Sequence, residues 1–135
     1  MTTLVYNNAR YLFATGAINW ATANVKAALL NAGYAPQQTD QYLSAVPAGA
    51  IVARDQPVTS LGVTTAGICY GTIGEFLALS SPLPVVGVLL YVSTGVDTTT
   101  PLVYYSSDGI GFPFTPAGLN WQVAYDIVNG GYFQA

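Results

Sequence analysis

The chain predicts an all-β domain: an antiparallel β-sandwich or jelly-roll-like fold with one or two short helical pieces near the N-terminus. Three observations lead there. From residue 51 onward, short apolar or β-branched runs recur between Gly, Pro, Asn and Asp turns, at the spacing of a sandwich or barrel. One of these runs, Val85 to Val92, carries no charge and is apolar on both faces, as a strand at the centre of a packed structure must be. At 135 residues, with no internal repeat and no long Pro/Gly/Ser linker, the chain makes one domain, residues 1–135.

The elements follow in order. Tyr6 to Ala17 reads as a short helix, capped by Asn7 or Asn8 and ended by Gly16, which can take a positive φ. Leu4, Val5 and Tyr6 also favour an extended arm. Asn24 to Leu30 reads as a buried strand, with Val25, Ala27 and Leu29 on one face and Lys26 on the other. Asn31-Ala32-Gly33 supplies a turn and Tyr34 to Asp40 a loop. Asp40 to Val46 predicts one helical turn, capped by Thr39 or Asp40 and stopped before Pro47.

Strands are then expected at Ile51 to Arg54, Val58 to Val63, Gly67 to Ile73 and Phe76 to Leu79. Val85 to Val92 and Leu102 to Tyr105 make a hairpin around a polar tip, Asp97 to Thr100. Ser106 to Gly109 is a turn by composition. Trp121 to Val128 predicts a last strand, with Trp121, Val123, Tyr125 and Ile127 on its inner face. Asn129-Gly130-Gly131 then turns into Tyr132 and Phe133.

Composition excludes several function classes. Apolar residues make up 52 % and charged residues 7 %, the reverse of a disordered chain. The basic residues are Arg10, Lys26 and Arg54, too few for a phosphate-binding surface, so no nucleic-acid partner is expected. The longest apolar stretch, Leu77 to Val92, is broken by Ser80, Ser81, Pro82 and Pro84, so no membrane span is expected. No basic-then-apolar leader is visible, and Cys69 is alone, which together fit folding in a cytoplasm. Nine charges are few for a soluble surface. Either Thr and Ser, 14 and 7 in number, provide the polar cover, or other subunits hide apolar surface.

The chemistry-bearing residues have plain structural readings. Histidine is absent, which removes the usual general base. Lys26 reads as a surface lysine with an apolar stem, and Cys69 as a buried structural thiol. The carboxylates are Asp40, Asp55, Glu75, Asp97, Asp108 and Asp126, none within ten residues of another. Asp40 is a cap, Asp97 and Asp108 are turn residues, and Asp55 pairs with Arg54 or stays in water. The glycine pairs Gly71/Gly74 and Gly109/Gly111 lack phosphate-loop spacing and mark turns or bulges. No catalytic, metal or cofactor residue is assigned, and the chain is not expected to be an enzyme. Tyr104-Tyr105 and Tyr132-Phe133 are either core and interface packing or stacking platforms for sugar.

Several segments carry a resemblance. Tyr6-Asn7, Ala17-Ile18-Asn19-Trp20 and Val25-Lys26-Ala27-Ala28-Leu29-Leu30 resemble the opening of small virion proteins of tailed bacteriophages, where a Trp precedes an Ile-Lys-x-x-Leu strand. Tyr34-Ala35-Pro36, Tyr42-Leu43-Ser44 and Ala53-Arg54 are similar to the next part. Leu90 to Gly95, followed by Thr100 to Tyr105, resembles the family's Tyr-x-x-Thr-Gly … Ser-Pro-Leu-Ile-x-Tyr hairpin, and Phe112 to Gly118 with Trp121 continues it. Val92-Ser93 stands where that family often has Lys-Asp, so an ion pair there is lost.

The resemblance implies a non-enzymatic virion component. Foremost is a capsid cement or decoration protein on the capsid surface, assembled in the bacterial host cytoplasm. Its partners would be the major capsid protein and copies of itself, as a trimer sealing threefold junctions. A tail, adaptor or baseplate component and a carbohydrate-binding module are the alternatives. No functional residue carries over. Terminal segments are mobile unless docked, so the apolar ends are the candidate assembly interface: Leu4, Val5 and Tyr6 at one end, Tyr132 and Phe133 at the other.

Overall fold

In the computed structural model, which describes residues 3–107, 112–118, 120–122 and 133–134, one helix and seven strands follow each other along the chain. They are β1 (Thr3–Val5), α1 (Asn7–Ala14), β2 (Val25–Leu30), β3 (Ile51–Val63), β4 (Ile68–Ile73), β5 (Gly87–Val92), β6 (Leu102–Ser106) and β7 (Phe133–Gln134). Single 3₁₀ turns lie at Trp20–Thr22, Leu43–Ala45 and Ala48–Ala50. The strands form one curled antiparallel sheet in the order β1-β6-β5-β2-β3-β4-β7. The all-β antiparallel class is therefore the observed one.

The middle of the sheet is where the sequence is most apolar. β2 and β5 pair without a slip from Val25↔Val92 to Leu30↔Gly87. Ala27, Ala28, Leu29 and Leu30 have no exposed surface, nor do Leu89, Leu90 and Tyr91 opposite. Both faces are thus covered, which corrects the one-sided reading of β2: Ala28 and Leu30 are as buried as Ala27 and Leu29. β6 is buried along its whole length and closes the predicted hairpin with β5. Its loop is tied by threonines: Thr94 Oγ1 lies 2.7 Å from Thr99 Oγ1, and Thr100 Oγ1 donates to the Val96 carbonyl at 2.9 Å.

β3 joins the two halves of the sheet. Its first part pairs with β2 and its second with β4. Ala27, Leu29 and Leu30 of β2 face Gln56, Ala53 and Ile51, so β3 carries two extra residues there. Thr59 and Gly62 face Thr72 and Tyr70, so a third extra residue sits at Ser60-Leu61. Asp55 and Ser60 take positive φ, 61° and 55°, at these two places. Such bulges bend a strand and sharpen its twist, which curls the sheet. The two predicted strands at 51–54 and 58–63 are in this way one bent strand.

The N-terminal predictions divide. Leu4 and Val5 do extend, as β1, and α1 follows at once. Gly16, at φ 80°, follows the end of α1 as expected. The cap does not come from Asn7 or Asn8: Tyr6 is the capping residue and no side chain bonds there. The helical turn before Pro47 is the 3₁₀ turn Leu43–Ala45, and neither Thr39 nor Asp40 caps it. Asn31 Oδ1 accepts from the Gly33 amide at 2.8 Å, which makes the predicted turn an Asx turn.

Phe76 to Leu79 is not a strand. Ala78 has φ 49°, which breaks the extended path, and only Phe76 bridges, to Trp121. With Ser80↔Ala117 and Val85↔Phe114, this bridge lays residues 76–85 antiparallel to 114–121. Phe114 stacks on Trp121 at 4.2 Å between ring centroids, and Phe112 lies 5.3 Å from the same indole. Trp121 packs against the core as predicted. The predicted strand at 123–128 and the turns at 108–109 and 129–131 lie outside the described residues.

Leu89 and Leu90 sit in the central pairing with no exposed surface. Leu89→Ala or Leu90→Ala is expected to lower unfolding stability by about 2–5 kcal/mol, read from urea titration as a lower midpoint at unchanged slope.

Candidate functional site

The terminal residues proposed as an interface occupy unequal places. Tyr6 has no exposed surface and Val5 has 8 %, so both side chains belong to the chain's own core. The Tyr6 hydroxyl lies 2.9 Å from the Tyr34 hydroxyl, which donates to Asp40 Oδ2 at 2.7 Å. The Gln37 amide donates to the same oxygen at 3.2 Å. Asp40 thus anchors a buried tyrosine chain rather than capping a helix. Burial pushes both phenols well above the ordinary tyrosine range, and Tyr34 rises further because its proton is held by these hydrogen bonds.

Leu4 remains partly exposed on β1. Among the described residues β1 and β7 are the two outer strands of the sheet. β7 pairs Phe133 with Cys69 and Gln134 with Ile68. Tyr132 lies outside the described residues. Edge strands leave backbone donors and acceptors available on one side.

Of the two aromatic pairs that could serve either packing or stacking, Tyr104-Tyr105 is internal. Tyr104 and Tyr105 are buried, and Tyr105 meets Tyr34 edge-on at 6.1 Å. No sugar can stack on either ring in this fold. Cys69 is also internal, and burial pushes its thiol up to about 11. That agrees with a structural thiol.

Three charged groups, Arg54, Asp55 and Asp97, gather at one place that the sequence showed only in part. Arg54 Nε donates to Asp55 at 3.0 Å, as expected for neighbours. Its two terminal nitrogens also grip Asp97, at 3.0 and 2.8 Å. Asp97 was expected as a turn residue only, and the two lie 43 positions apart. The Tyr91 hydroxyl donates to Asp55 Oδ1 at 2.8 Å and accepts from the Asp55 amide at 2.8 Å. The guanidinium holds the Asp97 carboxyl below the usual carboxylate range. Both carboxylates are occupied in fixing β3 to the 93–100 loop and to β5.

Two surface features carry no such partners. Leu77, Leu83, Val63 and Val96 are exposed, Leu77 by 68 % and Leu83 by 53 %. A cleft lined by Asn7, Asn8, Tyr11, Thr39 and Gln41 opens beside α1. Neither was legible in the sequence; the tyrosines left packing and stacking both open, and none of that reasoning singled out Tyr11. Among the described residues no three His, Cys, Asp or Glu side chains gather as metal ligands. Among those residues, too, no helix is long and apolar enough to cross a membrane. Comparison of the chain with protein-family models, curated proteins and solved structures finds no match.

These shifts set a pH dependence. Asp97 has a depressed folded pKa, so its contribution is complete above its ordinary value of 3.8 and is lost as pH falls through the folded value. Cys69 has a raised folded pKa, so its contribution is complete below its ordinary 9.0 and is lost as pH rises toward about 11. The buried tyrosines act in the same alkaline direction. Thermal melting is expected to hold a plateau between these limits and fall on both sides. In the same native plateau, Cys69 should resist an aromatic disulfide reagent and react once urea unfolds the chain.

Proposed function

We propose that the chain is a non-enzymatic structural protein of a tailed-phage virion, a decoration protein that adheres to the head and stiffens it. The observation that carries this reading is the sequence resemblance, spread over nearly the whole chain from Tyr6 to Trp121. The surface supports it. Large apolar side chains stand in water at Leu77, Leu83, Val63 and Val96, and charge is scarce. Among the described residues the two outer strands, β1 and β7, come from the terminal segments.

The mechanism is adhesion by repetition. Each copy makes modest contacts, and a closed oligomer on a symmetric shell multiplies them. The partners are the major capsid protein and two further copies of this chain. Because Val5 and Tyr6 are internal, contact at the N-terminal edge runs through the β1 backbone and Leu4.

The reading is tested on purified protein and on phage particles that carry it. Light scattering coupled to gel filtration is expected to report a trimer. Quantitative mass spectrometry should find copy numbers approaching that of the major capsid protein. About a dozen copies per particle would move the chain to a tail or adaptor ring. A monomer that never co-sediments with particles would remove the virion assignment. The double variant Leu77→Asp, Leu83→Asp should lose particle binding while its melting temperature stays within a few degrees, since both side chains are already in water.

A further inference from the structure

The cleft beside α1 has a composition and a geometry of its own. Asn7 and Asn8 lie one turn before Tyr11, at i, i+4 and i, i+3, so all three share a helix face. Thr39 and Gln41 line the cleft with them, and its volume is about 340 Å³. That volume lies within the range of small-molecule sites, toward the lower end.

The frame is fixed by backbone bonds. The Asn7 amide donates to the Gln38 carbonyl at 2.9 Å, which ties the helix to the facing segment. The Leu102 amide donates to the Gln41 carbonyl at 3.0 Å, which ties that segment to buried β6. The side chains have no such ties. Those of Asn7, Asn8, Thr39 and Gln41, and the Tyr11 hydroxyl, make no hydrogen bond among the described residues. Tyr11 is 64 % exposed. Two asparagines in the first turn are poor helix formers, and here neither caps the helix.

The charge decides the ligand class. No lining residue is charged. Asp40 stands between Thr39 and Gln41, but its Oδ2 already accepts from Tyr34 and from the Gln37 amide. An anionic or cationic ligand would find no counter-charge in the lining. Side-chain amides each present a donor pair and an acceptor, which suits neighbouring hydroxyls. An exposed phenol ring offers an apolar face with a polar tip. We infer that this cleft binds a neutral carbohydrate, with a pyranose C–H face on Tyr11 and its hydroxyls on Asn7, Asn8 and Gln41. The inference does not rest on the virion reading, because the cleft chemistry is the same in either case.

The test combines a survey with a titration. An array of neutral, sialylated and sulfated glycans is probed with the intact chain, and neutral glycans are expected to be the bound class. Glucose, galactose, mannose and N-acetylglucosamine are then titrated while side-chain amide resonances are followed by NMR. The signals of Asn7, Asn8 and Gln41 should move together and saturate for at least one sugar. Tyr11→Ala should weaken that sugar by about tenfold, the scale of one lost aromatic contact, while Tyr11→Phe keeps most of the affinity. Both variants should keep the wild-type melt, because the ring is exposed. The inference is overturned if no neutral sugar moves these resonances, if charged glycans bind better, or if Tyr11→Ala binds as the parent does.

Discussion

Everything in this fold hangs on the unbroken pairing of β2 with β5. Six consecutive residue pairs keep register, from Val25↔Val92 to Leu30↔Gly87, and most of their side chains are fully buried. A strand buried on both faces cannot slip by one residue without clashing on two sides at once. The register therefore positions β6 and β1 on one flank and β3 on the other. The central pairing carries one charge, the half-buried Lys26 of β2, and the ion-paired groups Arg54, Asp55 and Asp97 lie on β3 and the 93–100 loop.

The perimeter is held by polar contacts that cross between strands. Tyr91 starts inside the central pairing and reaches Asp55, whose positive φ marks a bulge in β3. An aspartate tolerates that conformation better than most residues. Arg54 then ties the same bulge to Asp97 in the β5–β6 loop. Half-exposed ion pairs of this kind add little stability each, so their role is to fix where the sheet bends. On the opposite flank the Tyr6–Tyr34–Asp40 chain does the comparable task for the segment between β2 and β3.

The outside of the molecule is mostly uncharged, and this gives its surface two characters. Exposed leucines and valines suit contact with another protein. The cleft at Tyr11 is built from amides and a phenol, and suits a neutral polar ligand. Both follow from the same economy of charge, yet they call for different partners because apolar and hydrogen-bonding surfaces desolvate at different cost.

The local features were legible in the sequence because their causes are local. Apolar runs marked β2, β5 and β6, the last two without a charge; Gly16 marked the end of α1; the polar tip after Val92 marked a hairpin. Composition also identified Cys69 as an internal thiol. The tertiary structure alone decided what distance in sequence conceals. Tyr6 looked like a terminal anchor for a partner, but β1 pairs with β6 and turns that ring inward. Arg54 and Asp97 meet across 43 positions of sequence, where β3 lies against the β5–β6 loop. Phe76 to Leu79 has strand-like residues, yet Ala78 bends away as its amide meets Asn120, a partner 42 positions later. Tyr11 joins Thr39 and Gln41 in one cleft through backbone ties between α1, the 38–41 segment and β6. Periodicity reports which side of an element is buried. It does not report what lies against that side, because pairing between distant segments is selected by the packing of the whole sheet.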